Sequence, residues 1–302
     1  MKKSMFVLSA ILLAALFTGA INAGEKQFKV FLVTMDQMDQ HWNSVDAGCR
    51  KAAAEYPDIE YAWMAPDAKD DNKQIEIVNN AVAAGADAIL IAANGPDAVT
   101  SALQEAQDHG VKIFYVDSAA NFPGIATFST NNKAAGEIAG QETLKALKAA
   151  GKTSGTIGIV SINAATASTV DRDAGFRQAF AGQGYELLAT QYCEGDILKA
   201  KDIAANFIIQ GCVGIFATSE GASTGTGNAI QEDGNHVIGS GFDNSDSIRN
   251  LIRSGTLICS MVQNPFVMGY EGLKAVQQEL TGGYKGPKVM DTGVTVMTKD
   301  NL

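Results

Sequence analysis

The chain has 302 residues, 46% of them hydrophobic, enough for one large or two medium domains around buried cores. Its formal charge of −10 argues against a nucleic-acid partner, which needs clustered Lys and Arg, and marks a well-solvated surface without specifying a fold. Cys49, Cys193, Cys212 and Cys259 stand far apart with no C-x-x-C pair, so their spacing fixes neither a metal site nor a disulfide framework.

The N-terminus reads as an export signal. Met1-Lys2-Lys3 supplies positive charge, Met5 to Phe17 is an almost unbroken apolar run, and Thr18 to Ala23 ends on small residues. The run is about 13 residues long, short of the roughly 20 that span a bilayer, so a cleaved signal peptide over 1–23 is favoured over a retained anchor. Cleavage is expected after Ala23, with Ala20 as the neighbouring choice. No cysteine lies near that site, so a lipoprotein is not expected. The mature chain is read as soluble and periplasmic.

Downstream, apolar runs of roughly 4 to 8 residues alternate with amphipathic stretches. The pattern predicts strands at 28–34, 59–64, 87–92 and 111–116, separated by helices at 43–55, 72–84 and 97–109. The rhythm then breaks at SAANFPGIATFSTNNKAAG, which carries a second apolar stretch from Ile125 to Phe128 before a helix at 132–149. A second set starts at Thr156: strands at 156–161, 185–190, 213–218, 236–240 and 257–262, with helices at 172–182, 197–210, 222–233, 245–253 and 266–281. A turn-rich TGGYKGP and a short strand, GVTVM, close the chain. Runs apolar on both faces are what parallel strands covered by helices require. The expectation is an α/β fold of two similar doubly wound parallel-sheet lobes joined by several crossings.

In such sheets ligands bind outside the carboxyl ends of the strands. Those ends supply Asp36, Asp39, His41 and Trp42 after the first strand, Asn94 after the third and Asp117 after the fourth. In the second set they supply Asn163, then Arg172 on the next helix, Ser219 and Glu220, Phe242 and Asp243, and Gln263. Carboxylates accept paired hydroxyls, Arg donates in a fixed fork, and Asn and Gln do both. With Trp42 or Phe242 covering a C–H face, this inventory suits a small neutral polyol. Each residue also has a plainer reading. Asp243 or Ser245 caps the helix at 245–253, Glu220 caps 222–233, Trp42 is core, Arg172 pairs with Asp171 or Asp173 on the surface, and His41 is a polar filler.

Catalytic readings have less support. His41, His109 and His236 have no metal-ligand spacing, there is no G-x-S-x-G elbow, and STGTGNAIQ lacks the residues of a phosphate loop. DAKDDNKQ lacks calcium-loop spacing. No enzyme activity, cofactor or metal is expected.

The chain resembles the periplasmic sugar-binding proteins of ABC transporters, in the ribose/galactose-binding group that shares its fold with LacI-type repressors. DAKDDNKQIEIVNNAVAAGADAILIAANGPDAV, VKIFYVDS, NNKAAGEIAGQ, DRDAGF, IGSGFDNS and VQNPFVMG carry the resemblance, in that order. It implies first-loop ligand contacts at Asp39, His41 and Trp42, with His41 replacing a usual aromatic. It further implies contacts at Asp117, Asn163, Arg172, Phe242, Asp243 and Gln263. Four positions depart: the third-strand contact falls on Ala92, so Asn94 is the substitute; Ser118 replaces an arginine; Ser219-Glu220 replaces Asn-Asp; and Gly195 replaces an aromatic, leaving that wall open or filled differently. The resemblance also implies three crossings, near 127–132, 261–265 and 288–293. These divide the chain into an N-terminal lobe of 24–129 and 264–290 and a C-terminal lobe of 130–263 and 291–302. Asp117 and Asp243 are then expected to face each other across the cleft and to meet only through a ligand. The implied function is capture of a small sugar or sugar-like polyol by a monomer that delivers it to a permease. The alternative is a periplasmic sugar or autoinducer-type receptor acting through a membrane sensor or chemoreceptor.

Overall fold

The computed structural model describes residues 27–302, so the signal peptide expected at 1–23 lies outside the described residues. Two sheets carry the fold. The first is built from β1 (Phe28–Val33), β2 (Ile59–Met64), β3 (Ala88–Ile91), β4 (Lys112–Val116), β5 (Thr127–Ser129) and a late strand, β12 (Val289–Asp291). Its order is β12-β5-β4-β3-β1-β2, parallel throughout. Interleaved are α1 (Gln40–Ala53), α2 (Asp71–Ala83) and α3 (Thr100–Asp108).

The second sheet uses β6 (Gly155–Ser161), β7 (Tyr185–Leu187), β8 (Gln191–Tyr192), β9 (Gly214–Ala217), β10 (Ile238–Phe242), β11 (Leu257–Gln263) and β13 (Val294–Met297). Its order is β13-β11-β10-β9-β6-β7, with β8 also pairing β6 and only β13 antiparallel. The helices α4 (Asn132–Ala149), α5 (Ala167–Phe180), α6 (Ile197–Ile209), α7 (Glu220–Glu232) and α8 (Asp246–Arg253) belong to this half, whereas α9 (Pro265–Gly282) returns to the first sheet. The fold is therefore two α/β lobes, each a sheet between helical layers.

Strand alternation sorts the cores. On β1, Val30 and Leu32 pack toward α1 and α9, while Phe31 and Val33 pack toward α2 and α3. In the second lobe Ile157, Ile159 and Phe216 face α4 and α5, and Val160, Ile215 and Ala217 face α6 and α7. Short polar side chains start several helices: Asp70, Asn131, Asp196 and Ser245 each accept a first-turn N–H. Pro265 sits in the first turn of α9, where a missing N–H costs nothing.

The chain passes between the sheets after Ser129, after Gln263 and after Asp291. Side chains tie these passages together. Thr130 Oγ1 donates to Gln263 Oε1 at 3.0 Å, Asn264 Nδ2 to the Thr292 carbonyl at 2.6 Å, and the Asn131 N–H to Asp291 Oδ1 at 3.1 Å. All four cysteines are buried and free.

Candidate functional site

The site begins at the end of β1. Asp36, 2% exposed, accepts the N–H groups of Met38 and Asp39 at 2.6 and 3.0 Å, the Trp42 indole N–H at 3.3 Å, and the Lys69 ammonium. One buried carboxylate thus shapes the loop and sets where α1 starts. Lys69 also donates to Asp39 at 2.7 Å. Burial works against its charge, but Asp39 and Asp36 outweigh that and hold it charged. The same ammonium carries Asp36 below the usual carboxylate range against the effect of burial.

Asp39 occupies the N-cap position of α1 but its side chain caps nothing. The first N–H groups of α1 are instead taken from the other lobe: Glu220 Oε1 accepts from Gln40 at 3.1 Å and Oε2 from His41 at 3.3 Å. A carboxylate at a helix N-terminus is favourable, and here it closes the cleft.

His41 is the centre of the arrangement. Its ring stands edge-on to Trp42 at 4.7 Å, with Nε2 3.2 Å from Asp117 Oδ2 and Nδ1 3.7 Å from Asp243 Oδ1. Burial works against the imidazolium, but Asp117 and then Asp243 outweigh it and raise the ring's pKa. Asp117 responds in kind: burial would raise it, yet His41, Arg172 and Ser118 hold its carboxyl well below the ordinary range. Asp117 and Asp243 therefore meet through a side chain of the protein itself. This corrects the expectation that only a ligand would join them.

Arg172, 2% exposed on α5, is not on the surface with Asp171 or Asp173. Its Nε donates to Asn132 Oδ1 and its Nη1 to the Thr218 carbonyl, both at 2.9 Å, while Nη2 lies 3.9 Å from Asp117 Oδ2 with no hydrogen-bond partner among the described residues. The guanidinium lies 4.2 Å over the Phe242 ring. Gln263 Nε2 donates to Asp243 Oδ1 at 2.7 Å. Ser219 Oγ, buried beside Glu220, also lacks a partner.

Eight of the expected residues border one small space of about 20 Å³: Asp39, His41, Trp42, Asp117, Arg172, Ser219, Asp243 and Gln263. Three do not. Asn94 gives its amide to Asp71 Oδ1 at 2.5 Å, and Asn163 Oδ1 accepts the N–H groups of Ala165 and Thr166. Phe242 is fully buried among Phe216 and its neighbours, its face occupied by Arg172. Lys69, Ser168 and Thr169 also line the space. Ser168 has a foreshadowing only in hindsight: its Oγ lies 2.7 Å from that of Ser118, the residue standing where an arginine was expected. At Gly195 the missing aromatic is replaced by the Lys69 stem, whose Cδ would lie 2.9 Å from a Cβ there.

Two doubly wound lobes with buried polar groups opposed across a cleft make this a two-lobed binding protein. The chain matches the periplasmic binding protein domain over residues 30–284 and belongs to that family. It is 25% identical to the ribose import binding protein of Escherichia coli over 287 residues, 93% of this chain and 94% of that protein. Among solved structures it is similar to a carbohydrate transporter solute binding protein from Agrobacterium radiobacter in complex with D-arabinose, at TM-score 0.86 and 29% identity over 91% of this chain and 95% of that one. An ABC transporter solute binding protein from Agrobacterium vitis with bound D-fucose gives TM-score 0.85 and 26% identity over 90% and 96%. These relatives are binding proteins rather than enzymes.

Proposed function

We propose that the chain captures a small sugar or sugar-like polyol between its lobes in the periplasm, after export through the segment at 1–23, and hands it to an ABC transporter permease. The observation that carries this reading is the convergence of Asp117, Arg172, Asp243 and Gln263 from both lobes on one small space, with Arg172 Nη2 and Ser219 Oγ buried beside it and unpartnered among the described residues. Charge-assisted hydrogen bonds contribute roughly 1.5–3 kcal/mol each, and micromolar affinity needs about 8 kcal/mol net, so a handful of hydroxyl contacts suffices. The names of the relatives, which bind ribose, arabinose or fucose, support the same class.

The space has room for about one water and not for a sugar ring, so entry requires the lobes to part about the three passages and His41 to leave its position between the two aspartates. Among the described residues the lobes that move are 27–129 with 264–291 and 130–263 with 292–302, the last boundary falling one residue beyond the expected 290 because Asp291 still pairs with Ser129 in the first sheet. Calorimetry of the mature protein against pentoses, hexoses and polyols tests the reading, with the sugar assayed for recovery afterwards. Saturable binding and unchanged sugar are expected; no heat with any member, or consumption of the sugar, overturns it.

A further inference from the structure

Deepening the sugar-capture reading, on which it rests, we propose that the ligand is a polyhydroxylated ring bearing a protonated amine, an amino sugar or imino sugar, whose ammonium lies among Asp39, Glu220 and Asp243. The two ends of the cleft are chemically different. At the Asp117 end the acid is matched: His41 Nε2 is 3.2 Å away and Arg172 Nη2 3.9 Å, and Arg172 keeps an unused donor for a hydroxyl. At the other end are three carboxylates: Asp39 and Asp243 both border the small space, and Glu220 lies next to it, lining a cavity of about 340 Å³ with Asp243 and a further one with Asp39. Lys69 is the cation in contact with Asp39, but it is shared with Asp36. Glu220 has backbone N–H partners and no ion pair among the described contacts, and Asp243 has Gln263 and, at 3.7 Å, the far side of the His41 ring.

The carboxyl of Glu220 is pushed up to about 7 by burial first and then by Asp39 and Asp243, the behaviour of acids that crowd one another without enough positive charge. Ser219 Oγ, 5% exposed and unpartnered, borders the same end and accepts from an ammonium as readily as it donates to a hydroxyl. Outside this end, Asp39 and Glu220 also line a cavity of about 410 Å³ whose other charged groups are Asp36, Asp67, Glu194, Asp196 and Lys69. The approach is thus strongly acidic and concentrates small cations. A bare metal ion does not explain the acids: among the described residues no three His, Cys, Asp or Glu side chains are arranged to ligate one. A neutral sugar satisfies the Arg172 end but leaves the Glu220 end uncompensated; an ammonium satisfies both.

The test is titration calorimetry of the mature protein with matched pairs: glucosamine against glucose, galactosamine against galactose, and deoxynojirimycin against the neutral deoxy sugar. At least one amine is expected to bind about tenfold or more tightly than its neutral partner, a preference that weakens with salt and shrinks in Glu220→Gln. Should that variant fail to fold by circular dichroism, Asp39→Asn serves the same comparison. Neutral sugars binding as well as or better than their amine partners in every pair overturn the ammonium and leave sugar capture standing. Absence of binding by both sets overturns the ammonium, and sugar capture falls with it only when the pentoses and polyols also give no heat.

Discussion

Asp117 and Asp243 hold the same position in the two lobes. Each follows the last residue of a central strand, β4 or β10, and each has a left-handed backbone, with φ of 57° and 73°. Each donates its N–H at 2.9 Å to the neighbouring strand, to Phe128 on β5 or Met261 on β11. The left-handed region tolerates Asp and Asn but penalises other side chains by about 1–2 kcal/mol, so one residue type satisfies both backbone and site.

That backbone dictates the substitution. Asp117→Asn and Asp243→Asn keep the turn and remove only the charge, whereas alanine would add strain and confuse the result. Both variants are expected to fold, with apo melting midpoints below the parent because His41 loses a buried acidic partner in each, and to lose the thermal stabilisation conferred by sugar. Retained ligand shifts in both would remove the pair from the site.

Helix packing offers a test of how the scaffold places Arg172. A Cβ at Gly136 on α4 would lie 2.1 Å from the Arg172 carbonyl oxygen, and one at Gly175 on α5 would lie 2.0 Å from that of Lys133. The two helices touch backbone to backbone, and neither contact has a flexible atom that yields. Gly136→Ala is expected to cost about 2 kcal/mol or more, seen as a lowered urea midpoint, and to weaken sugar binding because α5 must shift with Arg172. A variant as stable as the parent would show that the helices separate freely.

Stability should fall as pH rises from mildly acidic values. Glu220 has an ordinary pKa of 4.5 and a folded value of about 7, so between these the unfolded chain loses a proton that the folded chain keeps. The folded state binds more protons, and stability declines with pH across that window. His41, raised above 6.5 because Asp117 and Asp243 outweigh burial, contributes stability that is full below 6.5 and lost as pH climbs through its folded value. Asp117 acts oppositely and only in acid, its contribution being full above 3.8 and lost as pH falls toward its depressed folded value. Melting midpoints from about pH 5 to about pH 9 should therefore decrease, with Glu220→Gln flattening the lower part and His41→Gln the upper. A rising profile in the parent would contradict the assignment.

Much of this was readable in the chain because buried parallel strands are apolar on both faces, so runs such as AILI and GIFA announce themselves, and the ends of β4, β10 and β11 name Asp117, Asp243 and Gln263. β12 was not, since its three residues form an edge strand with Val289 65% exposed. The expected strand at 185–190 forms only over β7, Tyr185–Leu187, and pairing with β6 resumes beyond it, at Gln191 in β8. Asn94 and Asn163 fall at the right strand ends, but short amides there bond to nearby groups and are spent locally. Lys69 escaped, and Glu220 was named at its strand end without its role, for a different reason: their partners lie 30 and 180 residues away, at Asp39 and Gln40, and no local pattern marks such pairs.

Opening and closing should be visible in tryptophan emission. The chain has two tryptophans, both in the first lobe. Trp42, 3% exposed, bonds Asp36 and packs edge-on to His41 at the cleft, whereas Trp63 lies on β2 and donates to Thr34 Oγ1 at 2.8 Å. Release of His41 from between Asp117 and Asp243 changes the charge and solvent beside Trp42 alone. Saturating sugar is therefore expected to change the emission of the parent and of Trp63→Phe equally. His41→Gln should reduce the change, because the ring that moves is gone. A sugar response that vanishes in Trp63→Phe would place the moving element at the outer strand, away from the space between the lobes.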